Sequence, residues 1–194
     1  MGMRFLYRAL KRFVLISLVV LSLFFLSDCA VKKFFYPLKY KDEIIAVADY
    51  YGFDRALVFS LVKTESGFDK NAVSEKGAKG LMQLTDATAE YVALKKGETE
   101  YDVFEPKTNV DFGCFYLRYL FLEFADIDTA LCAYNAGEGR VNEWLSDEKY
   151  STDGVTLYKI PYAETENYLK KIKESLFKYK KLYGKLLDKH ENIE

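Results

Sequence analysis

The segment RALVFSLVKTES, residues 55–66, constrains the fold of this chain more than any other stretch. Its apolar residues occupy nearly every side of a helix instead of one stripe, which is typical of a helix buried at the centre of a domain. Asp54 is a suitable N-cap in front of it, and Gly67 is a suitable terminator behind it. A buried helix needs other elements packed around it, so the sequence predicts a globular domain built about residues 55–66.

Most of the remaining sequence predicts helices that could surround it. Apolar residues at helical spacing and capping residues place these helices at 42–51, 85 or 86 to 96, 108 or 109 to about 124, 129–136, 141–145 and 161 to about 189. Asp128 is the expected N-cap of the fourth of them. Residues 68–84 lack helical periodicity and are expected to be loop or short strand. The predicted fold class is therefore mainly α, and α+β at most through a minor strand or loop region at 68–84.

The first 29 residues are interpreted as a membrane anchor or signal segment. Residues 1–12 hold four basic side chains and no acid, and the apolar run FVLISLVVLSLFFL follows at 13–26. This order is typical of an export signal, and the excess of basic residues before the run places everything after Cys29 outside the cytoplasm. No A-x-A cleavage site follows, and Asp28 stands where lipoproteins usually have a small residue. An uncleaved anchor is favoured, with a lipid-modified Cys29 or a secreted form as alternatives.

The rest of the chain is predicted to form a juxtamembrane stalk at 30–41 and a single domain at 42–194 that ends in a long helix. Residues 28–194 carry 24 basic and 29 acidic side chains, which gives no electrostatic basis for binding nucleic acid. The chain has no CxxC pair and only one histidine, so neither a zinc site nor another cofactor is expected. Cys114 and Cys132 both fall in apolar helical stretches and are interpreted as core side chains, although a disulfide bond between them stays open.

Glu65 prolongs an apolar row on the central helix. Val58, Leu61, Val62 and Glu65 stand at positions i, i+3, i+4 and i+7, so they share one face. A carboxyl group in such a position loses hydration, which disfavours its charged form and raises its pKa. A general acid needs this state at neutral pH, so Glu65 is the candidate acid and base catalyst.

Several motifs occur together with Glu65 in a characteristic order. They are ESG at 65–67, GAKGLMQL at 77–84, AYNAG at 133–137 and PYAETENYLKKI at 161–172, with the flank ADYYGFDRALVFSLVKTESGFDKNAVS at 48–74. In this order and spacing they resemble the soluble lytic transglycosylase family of the lysozyme-like superfamily, over roughly residues 42–175. The resemblance implies a lysozyme-like fold and a peptidoglycan lytic transglycosylase. Such an enzyme cleaves the β-1,4 bond between N-acetylmuramic acid and N-acetylglucosamine and forms 1,6-anhydro-N-acetylmuramic acid.

The resemblance also implies roles for individual residues. Glu65 would act first as acid and then as base, with the substrate's acetamido oxygen in place of a second carboxylate. Ser66 and Tyr134 would hold Glu65 by hydrogen bonds, and Asn135 would meet the acetamido group or the cationic intermediate. The expected substrate-binding residues are Gly80, Met82, Gln83, Ala133, Glu164 and Tyr168. Of these, Gly80 lets backbone approach a sugar closely, Met82 offers a soft apolar surface, and Gln83 supplies both a donor and an acceptor.

Two other functions remain open. A lysozyme-like muramidase would need a second acid about 6.5–9.5 Å from Glu65 to activate water. The nearby acids Asp69, Glu75 and Asp102 stand in polar loops and are interpreted as surface residues. A non-catalytic scaffold that binds peptidoglycan is the second alternative, although binding alone requires no buried acid. The expected partners are peptidoglycan glycan strands and the membrane, at the extracytoplasmic face of the cytoplasmic membrane.

Overall fold

The computed structural model describes residues 11–19 and 34–188, and the chain divides into two compact units, Met1–Leu38 and Lys39–Glu194. In the first unit residues 11–19 are helical. None of the described helices combines the length and the apolar character that crossing a membrane requires. Most of the expected anchor and stalk, at 1–10 and 20–33, lies outside the described residues.

The second unit is built from helices. They are α1 (Lys41–Tyr51), α2 (Arg55–Ser66), α3 (Asp86–Lys96), α4 (Pro106–Phe124), α5 (Ile127–Ala136), α6 (Glu138–Leu145) and α7 (Ala163–Leu187). Over the described range the β-type pairing consists of two isolated bridges, Val73 with Lys79 and Lys79 with Leu84. Both lie in the segment that lacks helical periodicity. The prediction of a mainly α domain is therefore confirmed.

Capping residues determine where these helices begin and end. The Asp54 carboxylate accepts a hydrogen bond from the Ala56 N–H, and α2 ends at Gly67, where φ is 60°. Thr85 caps α3 in the same way, because its hydroxyl accepts from the Thr88 N–H. A side-chain acceptor at the N-cap satisfies one of the N–H groups that a helix start leaves unpaired. The predicted boundaries of α2 are confirmed for this local reason.

Four predicted helix starts are wrong by two or three residues. Helix α4 begins at Pro106, because the Glu105 carboxylate accepts from the Thr108 N–H and proline is favoured in the first turn. Helix α5 begins at Ile127, because Asp126 caps it instead of Asp128. In both of these helices an acid closer to the N-terminus accepts from the first free N–H groups. Helix α6 begins at Glu138, three residues before its predicted start, and α7 begins at Ala163, two residues after its predicted start at residue 161.

Helix α2 lies at the centre of the unit. Its residues 56–62 are all buried, and it packs more extensively on α7 than on any other described helix. The rings of Phe59 and Tyr179 meet with centroids 5.5 Å apart, and Lys180 pairs with Asp54 at 2.5 Å. These contacts hold the C-terminal part of α7 against the start of α2. The first turn of α7 is therefore brought towards the other end of α2, where Glu65 lies.

Cys114 on α4 and Cys132 on α5 are buried and form no disulfide bond. Burial raises the pKa of both thiols, to about 12 in the case of Cys132. Both groups are therefore protonated at neutral pH. The structure gives them the role of small core side chains.

Candidate active site

Glu65 lies in the last turn of α2, next to the C-terminal residue of that helix. The preceding turns are buried, so α2 carries this carboxyl group out of an apolar core to the wall of a cleft. The cleft has a volume of about 440 Å³, within the size range of small-ligand sites. The described residues that line it are Glu65, Ser74, Glu75, Lys76, Ala78, Gln83, Thr85, Tyr134, Asn135 and Glu164.

A hydrogen bond from the Tyr168 hydroxyl to Glu65 Oε1 holds the carboxyl group. Tyr168 projects from α7 and is only 7% exposed. Burial raises the pKa of Glu65 from its ordinary value of 4.5 to about 7, and the hydrogen bond from Tyr168 opposes part of that rise. Near neutral pH the group is consequently divided between its protonated and ionised forms. A side chain in this state can both donate and accept a proton during one reaction.

Ser66 and Tyr134 are not the hydrogen-bond partners of Glu65, which corrects the expectation drawn from the sequence. The Ser66 hydroxyl donates to Leu81 O at 2.9 Å, and the Tyr134 hydroxyl donates to Met82 O at 2.9 Å. Ser66 follows Glu65 by one residue, so on a helix its side chain points in another direction. The two hydroxyls instead tie the segment 68–84 to α2 and α5. They position one wall of the cleft.

Tyr134 nevertheless lies close to Glu65 and lines the same cleft. Burial raises the pKa of the Tyr134 phenol, and the nearby Glu65 carboxylate raises it further. The phenol therefore remains a neutral donor at any pH where the domain would work. Its ring also meets that of Tyr116, with centroids 5.7 Å apart.

Three expected sugar contacts belong to the core instead. Met82 and Ala133 are both 0% exposed. Met82 packs so tightly on Gly113 that a Cβ added there would lie 2.5 Å from the Met82 sulfur. Gly80 is buried with φ of 76°, and a Cβ there would lie 2.2 Å from Asn109 Nδ2. The glycine makes room for a neighbouring side chain, and the buried residues of the motif GAKGLMQL support the cleft wall.

Asn109 organises this segment, and the sequence analysis missed its role. The side chain lies on α4 and is 1% exposed. Its Oδ1 accepts from the Met82 N–H at 2.7 Å, and its Nδ2 donates to Lys79 O at 3.0 Å and Val103 O at 2.7 Å. A buried amide with these partners replaces the backbone pairing that an irregular segment lacks. An asparagine on an apolar helix face was the available signal.

Gln83, Asn135 and Glu164 line the cleft, as expected for residues that contact a ligand. Gln83 adopts a left-handed backbone with φ of 51°, and its Nε2 donates to Gly80 O at 2.9 Å. The Asn135 Oδ1 accepts from the Thr165 hydroxyl at 2.8 Å, which orients the amide. Glu164 is exposed on the first turn of α7.

Ser74, Glu75, Lys76, Ala78 and Thr85 also line the cleft, and the sequence analysis did not identify them as part of it. Four of them belong to the polar run VSEKGA, in which no periodic pattern indicates the side that faces a ligand. Thr85 was recognised only as a helix cap. Asp69 and Asp102, by contrast, are exposed and cap turns at the Asn71 and Phe104 N–H groups. Their interpretation as surface acids agrees with these positions.

The family model described as "Transglycosylase SLT domain" matches residues 42–155. Among curated proteins, the soluble lytic murein transglycosylase of Salmonella typhimurium is 31% identical over 143 residues, which cover 71% of this chain and 22% of the relative. The membrane-bound lytic murein transglycosylase C of Edwardsiella ictaluri is 30% identical over 169 residues, which cover 74% of this chain and 47% of the relative. The chain thus spans about a fifth of the length of the first relative and under half of the second.

Solved structures show the same likeness. The lytic transglycosylase Slt of Pseudomonas aeruginosa, solved as an inactive mutant, has a TM-score of 0.68 at 29% identity, over 75% of this chain and 24% of that chain. The 70 kDa soluble lytic transglycosylase in complex with bulgecin A has a TM-score of 0.68 at 26% identity, over 77% of this chain and 25% of that chain. The helical architecture described above is therefore shared with both.

Proposed function

Because this chain belongs to the transglycosylase SLT domain family, we propose that it is a peptidoglycan lytic transglycosylase with Glu65 as its acid and base catalyst. The observation that carries the proposal is the half-buried Glu65 carboxyl group in the wall of the cleft, with its pKa raised to about 7. Relatives named lytic murein transglycosylases support it. The inactive Pseudomonas aeruginosa mutant, in which glutamine replaces a glutamate, agrees with an essential carboxyl group.

The proposed reaction uses one carboxyl group twice. Protonated Glu65 donates its proton to the oxygen of the β-1,4 bond between N-acetylmuramic acid and N-acetylglucosamine, and the C1–O bond breaks. The acetamido oxygen of the muramoyl residue stabilises the anomeric centre, so no second carboxylate is needed. Ionised Glu65 then takes the proton of the muramoyl 6-hydroxyl, whose oxygen bonds to C1. The 1,6-anhydro product forms without water, and Glu65 is again protonated.

The surrounding side chains are proposed to position the reacting groups. Tyr168 orients the Glu65 carboxyl group through its hydrogen bond. Asn135, oriented by Thr165, faces the acetamido group or the cationic centre. Gln83 and Glu164 contact sugar groups in the cleft that they line. Ser66 and Tyr134 act indirectly, because their hydroxyls hold the segment that carries Gln83.

A muramidase is the second candidate, because Glu75 lines the same cleft as Glu65. In that mechanism the second carboxylate would activate a water molecule or form a covalent intermediate. Glu75 is exposed, so a water molecule can reach its carboxyl group. The two candidates differ in their products.

Mass spectrometry of the released muropeptides tests the proposal. Purified sacculi are digested with the full chain, and the muramoyl ends are compared with those left by a hydrolase. We expect 1,6-anhydro ends, which are lighter than reducing ends by the mass of one water molecule, because the 6-hydroxyl replaces water as the nucleophile. Reducing muramoyl ends as the main product would contradict transglycosylation and favour the muramidase.

We further propose that residues 1–29 anchor the chain at the extracytoplasmic face of the membrane, with residues 30–41 as a stalk and 42–194 as the transglycosylase domain. Support comes from the basic residues that precede the apolar run at 13–26, and from relatives named as membrane-bound. Carbonate washing of membranes from producing cells tests the anchor. Retention in the membrane pellet is expected, and quantitative release into the wash would contradict it.

A further inference from the structure

Lys76 is the one basic side chain among the described residues that line the cleft. Two other acidic side chains share that cleft with it, Glu75 and Glu164, in addition to Glu65, which carries a proton when substrate binds in the proposed reaction. The acidic side chains that an anionic ligand meets in the cleft therefore still outnumber the basic one. Like charges brought together in a binding site disfavour the complex unless a cation compensates. Lys76 is in the place where such a compensating charge is needed.

Over the part of the chain that the structure describes, Lys76 forms one ion pair, and that pair is weak. Its Nζ lies 4.0 Å from Glu164 Oε1, and the two side chains are 85% and 75% exposed. A pair at that distance in water contributes little to stability. Lys79 in the same segment provides the contrast, because it pairs with Asp86 at 2.6 Å and is 29% exposed. Lys76 can therefore exchange Glu164 for another carboxylate at little cost, whereas Lys79 is already engaged.

We infer that Lys76 determines specificity by binding a carboxylate carried on the lactyl group of the muramoyl residue. This inference rests on the proposed function. N-acetylglucosamine is neutral, so the anionic groups of a glycan strand are those attached through the lactyl ether. They are the free lactyl carboxylate where the peptide stem is absent, or the carboxylates of the stem where it is present. Lys76 would thus make the cleft bind muramoyl strands in preference to neutral polymers of N-acetylglucosamine.

The residue type fits this role. A lysine carries a compact charge on a flexible stem and imposes no bidentate geometry, so it can follow a carboxylate whose position varies with the stem. Lys76 also belongs to the irregular segment 68–84, which contributes Gln83 to the same cleft. The charge therefore lies in the segment that carries a side chain proposed to contact the sugar.

Binding titrations on the full chain test the inference. Glu65→Gln serves as the background, because it prevents turnover during the measurement. The three ligands are soluble glycan strands with peptide stems, amidase-treated strands with free lactyl carboxylates, and neutral N-acetylglucosamine oligomers. Lys76→Gln is expected to raise the Kd of an anionic ligand about three- to fivefold at low salt, and to leave that of the neutral oligomers unchanged. The strand that shows the effect identifies which carboxylate is bound.

Lys70→Gln is the matched control, because Lys70 is an exposed lysine of the same segment that does not line the cleft. It should bind all three ligands as the background does, and Lys76→Arg should stay within about twofold because it keeps the charge. Unchanged binding of both anionic ligands by Lys76→Gln would overturn the inference. Equal weakening of the neutral oligomers would do the same, since it would indicate a structural role. A background chain that binds none of the ligands would overturn the proposed function itself.

Discussion

Glu65→Gln is expected to reduce muropeptide release from purified sacculi by about a thousandfold or more, the range typical for loss of a general acid and base. Glutamine has nearly the same shape and keeps an oxygen that accepts the Tyr168 hydrogen bond. It cannot donate or take up a proton at the reacting oxygens. Because one carboxyl group serves both halves of the proposed reaction, no other described group in the cleft takes over its role.

Glu75→Gln provides the comparison for this experiment. It removes a second carboxylate from the same cleft, but an exposed one. We expect less than about a threefold change in turnover, because the acetamido group of the substrate replaces a second acid. Circular dichroism of both variants verifies the fold. Wild-type turnover in Glu65→Gln would remove the catalytic assignment, and equally large losses in both variants would indicate a two-carboxylate hydrolase.

The second large effect concerns stability. Gly80→Ala is expected to lower the free energy of unfolding by about 2–5 kcal/mol. The new methyl group would lie 2.2 Å from Asn109 Nδ2 and 2.9 Å from Val103 O, in a backbone with φ of 76°. Relieving this overlap displaces the Asn109 amide and weakens the hydrogen bond that its Oδ1 accepts from the Met82 N–H. Urea unfolding monitored by circular dichroism measures the change.

Gly77→Ala separates strain in the backbone from the overlap. Gly77 lies in the same segment with φ of 79°, yet a Cβ there meets nothing within 4 Å. Its expected cost is about 1 kcal/mol, from the left-handed backbone alone. Equal stability of the two variants would contradict the account, because it would mean that the overlap with Asn109 costs nothing beyond the backbone strain. Gly80→Ala should also lower activity at temperatures where it is folded, because Gln83 follows in the same segment.

The central helix was predictable because its determinants are local. Asp54, Gly67 and the apolar residues between them are neighbours in sequence, and each favours the same helix. The starts of α4 and α5 were harder to predict, because more than one residue near each start can act as an N-cap. Glu105 and Asp126 prevail because their carboxylates reach the N–H groups of Thr108 and Thr129.

The candidate site was predictable only in part. The position of Glu65 follows from its spacing to Leu61 and Val62, which are both buried. Its hydrogen-bond partner Tyr168 is 103 residues away in sequence, so no local pattern could pair the two side chains. Met82 was assigned to the sugar because its motif resembles a ligand-binding one. Its burial depends on how α4 packs on the segment 68–84, and this is a tertiary feature that spacing does not encode.

The ionisation of Glu65 is the quantity on which the proposed chemistry depends. The carboxyl carbon of Glu65 can be followed by NMR in ¹³C-labelled protein, with Glu65→Gln to assign its signal. Titration of the ligand-free full chain should give a midpoint near the pKa of about 7 that burial produces. A midpoint close to 4.5, the ordinary value, would mean that water solvates the carboxylate fully, and Glu65 could then not supply a proton at neutral pH.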